Sequence, residues 1–355
     1  MKYRFLINIS HTYALPIGAP LQKEILQRGY EVKWFSDLEY TKKSFPEHGE
    51  LLPTIQDAVL YNPHVVLCIT NDVADFIPGI KVQIFHGFSA DKRSKAKGHF
   101  RIRGFFDLYC TQGPSTTTPF LELQNKYKHF EVKETGWSKV DPLFPIKYIN
   151  TVHPTILVSS TFTPRLSLAH REEVLLEIEN LSKVEGWKFI IVLHPKMEKK
   201  IVDRVKAMEN DSINFYNTTN LIPLMQKADV MFSDTTSAIT EFILQKRPVV
   251  TFRNNKPGNY LLDIQETSEI RSAIKEALSK PKQLMNAIDA NVAKMHPYSD
   301  GNSSKRVIDA CIDFLHEDKS HLKAKPLNLI RKYKIRKRLK YFTFKTYPKA
   351  PTLKK

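Results

Sequence analysis

Only three cysteines occur in 355 residues: Cys68, Cys110 and Cys311. They are odd in number, far apart and set in apolar surroundings. They read as buried free thiols, not as a disulfide framework or a zinc site. No apolar run approaches the ~20 residues that a membrane span needs. The longest, Val65–Thr70 and Lys188–Leu193, are strand-sized. The opening MKYRFLINIS is too short and too soon polar for a signal peptide and reads as a strand. A cytoplasmic protein is therefore expected. There is no GxxxxGKS or GxxxxGKT, which argues against a P-loop ATPase, and no DxD, so neither a divalent metal nor another cofactor is expected. No internal repeat or low-complexity run is evident.

Acid is missing from one region in particular. Residues 319–355 hold 14 Lys and Arg and no Asp or Glu. Subtracting these from the 54 basic and 37 acidic residues of the chain leaves 40 and 37 for residues 1–318, a net of +3. The body is nearly neutral and the tail carries the charge, whereas a nucleic-acid enzyme more often spreads cations over its folded body. Within PLNLIRKYKIRKRLKYFTFKTY (326–347), aliphatic and aromatic residues interleave with the basic ones. That composition suits an anionic membrane surface. A solvated tail and a nucleic-acid-binding arm are the alternatives, and nucleic acid is not the expected partner.

Elsewhere apolar, strand-like runs alternate with helical stretches, which predicts parallel, doubly wound sheets. Strands are expected over Lys2–Ser10, Glu31–Phe35, Val65–Thr70, Val82–Phe85 and Leu108–Thr111. A second series follows at Thr155–Ser159, Lys188–Leu193, Ile213–Tyr216, Val230–Ser233 and Val249–Phe252. Pro142, Pro145 and Pro154 punctuate the stretch between them, where a linker is expected. The predicted organisation is an α/β protein of two Rossmann-like domains, 1–145 and 146–318, with a basic tail, 319–355. Ligands of such sheets bind outside the carboxyl ends of the strands, here in a cleft between the domains.

Four strand ends carry the residues suited to chemistry. In ADVMFSDTTSAITEF (228–242) a strand ends at Ser233-Asp234 and Thr235, Thr236 and Ser237 open a helix that carries Glu241. Free N–H groups at a helix start favour a phosphate, although a Ser-capped helix without a ligand fits the pattern as well. In IIVLHPK (190–196) a strand delivers His194, with Lys196 close behind. In VQIFHGFSADKR (82–93) another delivers His86, followed by Gly87 and the basic Lys92 and Arg93. In ILVSSTFTPR (156–165) a strand ends in Ser159, Ser160 and Thr161, with Arg165 beyond. An imidazole from each domain suits acid–base work near neutral pH.

Taken in order, these segments resemble the CDP-glycerol glycerophosphotransferase family, the teichoic-acid primase and polymerase type. The resemblance rests on FHG (85–87), LHP (193–195), SDTTS (233–237) and the following LQKRPVVTF, with GWSKVD (136–141) and YSDGNSSKRVID (298–309). It spans about residues 80–315. Two departures stand out: Phe88-Ser89 follows His86-Gly87 where the family tends to have Thr-Pro, and no Trp-Arg follows Ser160, with Arg165 as the nearest counterpart. The resemblance implies a GT-B-like fold with an acceptor-side first domain and a nucleotide-donor second domain. It implies transfer of glycerol phosphate, or a related polyol phosphate, from CDP-glycerol to a hydroxyl of a surface polysaccharide or its lipid-linked precursor, releasing CMP. His86 would be the base and His194 would stabilise or protonate the departing phosphate. Ser160, Thr161, Arg165, Lys196, Ser233, Asp234, Thr235, Thr236, Ser237 and Glu241 would serve the donor. Such an enzyme would work at the inner face of the cytoplasmic membrane. A GT-B glycosyltransferase using a UDP- or CMP-sugar shares these features and is the alternative.

Overall fold

The computed structural model describes residues 2–45, 49–88, 100–146 and 153–343. Ser89, Lys92, Arg93 and residues 344–355 of the expected tail lie outside the described residues. The chain forms two compact units: Met1–Pro142 with Met295–Lys355, and Leu143–Lys294.

Among the described residues the first unit has seven parallel strands. They are β1 (Arg4–Ile9), β2 (Glu31–Ser36), β3 (Leu51–Leu52), β4 (Val65–Cys68), β5 (Ile80–Ile84), β6 (Leu108–Thr111) and β7 (Glu131–Glu134). Their order is β3-β2-β1-β4-β5-β6-β7. Helices α1 (Leu15–Gln27), α2 (Glu39–Lys43), α3 (Ile55–Leu60) and α4 (Pro114–Tyr127) connect them. Helix α1 stops where Gly29 takes φ +73°, a conformation that costs glycine little. Helix α3 starts on a reciprocal cap between Thr54 and Asp57.

The second unit holds β8 (Thr155–Ser160), β9 (Lys188–Leu193), β10 (Ile213–Phe215), β11 (Val230–Ser233), β12 (Val249–Phe252) and β13 (Leu262–Ile264). These are parallel, in the order β10-β9-β8-β11-β12-β13. Its helices are α5 (Glu172–Val184), α6 (Lys199–Lys206), α7 (Ile222–Lys227), α8 (Ala238–Ile243), α9 (Ile270–Ser279) and α10 (Lys282–Met295). Strands β4, β8, β11 and β12 are buried at every position. Only a sheet covered on both faces needs such uninterrupted burial. Each sheet reverses its winding next to its first strand, between β1 and β4 and between β8 and β11. These are the two topological switch points. Two Rossmann-like, doubly wound α/β domains are thus present, as the alternation predicts.

The expected second domain, 146–318, is corrected at its end. After α10 the chain returns to the first unit, where α11 (Ser303–His316) packs on α1 and β6. Arg28 Nη1 lies 2.6 Å from Asp309 Oδ1, and the Tyr3 hydroxyl lies 2.8 Å from His316 Nε2. Helical periodicity reveals α11 but not which sheet receives it. The separate tail is corrected too. Helix α12 (Leu329–Leu339) and Tyr341 belong to the first unit, with Ile335 and Tyr341 buried in its core beside Val73, Ala74 and Ile77.

Candidate functional site

In the second unit β9, β8 and β11 lie side by side. Ser159 is level with Val192 on one flank and with Ser233 on the other. Their carboxyl ends deliver His194, Ser160 with Thr161, and Asp234 to one edge at the switch point. Three of the four predicted stretches therefore meet within one unit, while His86 belongs to the other.

Asp234 is wholly buried and organises this edge. Its Oδ2 accepts from the Ser160 hydroxyl at 2.6 Å and from the Leu168 amide at 3.0 Å. The Thr161 amide donates to both of its oxygens, at 3.0 and 3.1 Å. The Ser160 hydroxyl also meets Ser167 Oγ at 2.8 Å. Burial raises the Asp234 carboxyl above its ordinary range, opposed by the Ser160 hydroxyl and the Leu168, Thr161 and Thr235 amides. Ser233 is buried as well and donates to the Ser159 carbonyl at 2.6 Å. Neither side chain faces solvent. Together they brace the turn after β8, which presents Phe162, Thr163, Pro164 and Arg165 on the surface.

The opening of α8 departs from the expected cap. Ser237 is exposed and makes no capping hydrogen bond, while Thr236 Oγ1 accepts from the Ala238 amide at 3.4 Å. Glu241 is buried within α8. Thr235 Oγ1 accepts from the Asn255 amide at 3.2 Å, and Asn254 Nδ2 donates to the Asp234 carbonyl at 3.0 Å. Asp263 holds Asn254 in turn, accepting its amide at 2.9 Å. Ser167, Asn254, Asn255 and Asp263 were not read from the sequence. The one signal available was a polar pair just past the end of β12.

His194 is exposed. Its Nδ1 accepts from the Lys196 amide at 3.0 Å, which leaves the proton of the neutral ring on Nε2. Its ring centroid lies 4.5 Å from that of Phe162, and Lys196 Nζ lies 5.8 Å from the Phe162 centroid. Arg165 and Lys196 are both exposed cations of this edge. The arrangement offers an imidazole, two cations and hydroxyls beside a braced turn, which is the chemistry that holds phosphate.

His86 follows β5 in the first unit, half-buried, with its ring centroid 6.1 Å from that of Tyr13. The backbone on either side of it is pinned. The Phe85 carbonyl accepts from Trp137 Nε1 at 2.7 Å, and the Gly87 carbonyl accepts from Gln112 Nε2 at 3.1 Å. Trp137 comes from the GWSKVD segment, whose remaining residues hold the returning chain. Asp141 accepts the Ser303 and Ser304 amides at 2.8 and 2.7 Å and so caps α11. Gly136, at φ +82°, has no room for a side chain, since a Cβ would sit 2.5 Å from Ser303 Oγ.

Residues 140–312 match the family model for UDP-N-acetylglucosamine 2-epimerase, a stretch that includes the whole second unit and α11 as far as residue 312. No curated protein matches the chain. Among solved structures, a Listeria monocytogenes protein named for UDP-N-acetylglucosamine 2-epimerase aligns with TM-score 0.63 at 11% identity, covering 90% of this chain and 98% of that one. The UDP-bound structure of Staphylococcus aureus MnaA aligns with TM-score 0.61 at 15% identity, covering 92% and 99%. A variant of the wall teichoic acid polymerase TagF aligns with TM-score 0.62 at 12% identity, covering 88% and 89%. At these identities the likeness is one of fold. The chain has a GT-B-like fold.

Proposed function

We propose that the protein transfers glycerol phosphate, or a related polyol phosphate, from a CDP-activated donor to a hydroxyl of a cell-surface polysaccharide or its lipid-linked precursor. The observation that carries this reading is the edge of the second sheet. There Asp234 fixes from below a turn that carries Arg165 and Phe162, and His194 and Lys196 pack against Phe162. The turn and the exposed Ser237 would take the donor's phosphates. The acceptor oxygen attacks the β-phosphorus as its proton passes to His86. The bond from that phosphorus to the bridging oxygen breaks, and CMP leaves with His194 stabilising its new charge. Positioning and charge stabilisation supply the acceleration, as in other phosphoryl transfers. TagF, a wall teichoic acid polymerase by its name, supports the reading through the shared fold.

A second reading is favoured by the family model over residues 140–312 and by the UDP-bound neighbour: an enzyme acting on a UDP-sugar. The released nucleotide separates the two. Incubation with a panel of CDP-, CMP- and UDP-linked donors, with chromatography of the products, should show CMP from a CDP-polyol. UDP release, or turnover of a UDP-sugar with the nucleotide retained, would replace the first reading by the second. A lipid-linked acceptor would place the work at an anionic membrane surface, and the exposed side chains of α12 suit such a surface.

A further inference from the structure

The switch-point crevice of the first unit is already filled. Ligands of a doubly wound sheet enter outside the carboxyl ends of its strands at this place. Here it is lined by Asn8, Asp37, Asp72 and Ala74, and closed by Arg338 and Leu339 from α12. The space left is about 10 Å³, room for roughly one water molecule. The closure is apolar where Ile335 and Tyr341 enter the core and electrostatic at the crevice mouth, where Arg338 Nε lies 3.2 Å from Asp37 Oδ2 and its Nη2 lies 3.2 Å from Asp72 Oδ1. Asp37 is nine-tenths buried, with a side chain 9% exposed, and its Oδ1 has no hydrogen-bond donor among the described residues. Arg338 thus satisfies half of a buried carboxylate, and a hydroxyl-bearing ligand would satisfy the other half.

Charges on α12 are sorted by face. Toward the crevice, Arg338, its side chain still 45% exposed, meets Asp37 and Asp72, and Lys332 meets Asp75 at 3.6 Å. Outward, Lys334, Lys337 and Lys340 are exposed and, among the described residues, pair with no carboxylate. Leu329, Ile330, Tyr333 and Phe342 are exposed too. Two environments therefore compete for one short helix: the acidic crevice on one face, and an anionic, apolar surface on the other.

We propose that α12 is a removable plug. Docked, it shuts the switch-point crevice. An anionic lipid surface draws it off, and the crevice then admits the hydroxyl-bearing acceptor at the membrane where that acceptor lies.

The test needs no enzymatic turnover, so it stands or falls separately from the transferase reading. Ala74, 5% exposed beneath the plug, is replaced by Cys. Its rate of modification by a soluble maleimide is followed, with the parent and its three buried cysteines as the background. Vesicles containing phosphatidylglycerol should speed labelling about tenfold or more, and pure phosphatidylcholine vesicles should not, since the attraction is to anionic lipid. Adding Arg338→Ala should raise the rate in buffer alone about fivefold, the worth of one partly exposed ion pair of ordinary strength. If the protein sediments with anionic vesicles while Ala74→Cys stays as slow as before, the helix binds lipid without undocking and the plug is overturned. No sedimentation and no acceleration would overturn it equally. A DNA duplex that accelerates labelling where vesicles fail would name the wrong surface and overturn it as well.

Discussion

His296 is buried between two hydrogen bonds, with Nε2 accepting the Trp137 amide at 3.0 Å and Nδ1 donating to the Tyr298 carbonyl at 2.9 Å. Burial pushes its pKa down to about 4, so the fold holds the neutral ring. In the unfolded chain the ordinary value is ~6.5. As pH falls the unfolded state takes up the proton first, so the contribution is whole above ~6.5 and drains away towards about 4. In urea titrations at pH 7 and pH 4.5, the stability gap between parent and His296→Gln should shrink by roughly 2 kcal/mol. A gap that does not change with pH would show that the ring is not held neutral. Asp234 and Ser237 make a contrasting pair. Asp234→Asn turns an amide NH₂ towards donors that now face an oxygen, and should destabilise the fold by about 2–3 kcal/mol. Ser237→Ala removes a hydroxyl that caps nothing, so its melting temperature should stay within a degree or two while calorimetric donor affinity falls. Unchanged donor affinity would detach Ser237 from the donor. For His86→Ala, the transfer rate should drop ~10²–10⁴-fold with the fold intact, the range typical of a lost general base. Turnover at the parent rate would reassign that base.

Helix α12 shows how an element can be visible in composition and still be misplaced. Its outer side chains can be tested without disturbing its inner ones. Ile330→Ser with Lys334→Glu and Lys337→Glu changes only exposed positions, so stability should move by no more than about 0.5 kcal/mol. Co-sedimentation with anionic vesicles should be lost, and binding equal to the parent's would remove the outer face from any membrane role. The same contrast explains what the sequence disclosed. Runs such as VVLC, TILVSS and VVTF name themselves, because complete burial demands unbroken apolar residues. Helix α4, PSTTTPFLELQNKY, went unread: three threonines and two prolines hide its period, and a start on Gly113 gives little warning. Strand β7, EVKE, is an edge strand with one buried residue, charged as exposed edges tend to be. At the site, His194 and Asp234 were legible because each ends an apolar strand. Asn254 reaches the Asp234 carbonyl, and Ser167 the Ser160 hydroxyl, from loops, and no local pattern records either approach.

The whole molecule is a sheet domain interrupted by another. The first unit runs to residue 142, yields to the second unit with its own sheet of six strands among the described residues, and resumes at residue 295. The closure is specific. Asp141 caps α11, Trp137 and His296 lock the return, and Gly136 leaves the room they need. Helix α11 then buries Val307, Ile308, Cys311 and Phe314. At about 1.5–3 kcal/mol for each large apolar side chain buried, Val307, Ile308 and Phe314 alone are worth on the order of 5–9 kcal/mol. That is as much as the whole stability of an ordinary domain, so the first unit should not survive the loss of its C-terminal piece. The second unit, with its own sheet and its own core, should be indifferent. Tryptophan reports on both, because Trp34 and Trp137 lie in the first unit and Trp187 in the second, all three buried. A chain ended at residue 294 should expose two of the three to acrylamide quenching and keep the third protected, with one remaining cooperative unfolding transition. Residues 143–294 alone should melt in that same transition and, on the donor-site reading, still bind the nucleotide. Native protection of all three tryptophans in the truncated chain would mean that the returning segment decorates a domain already complete without it.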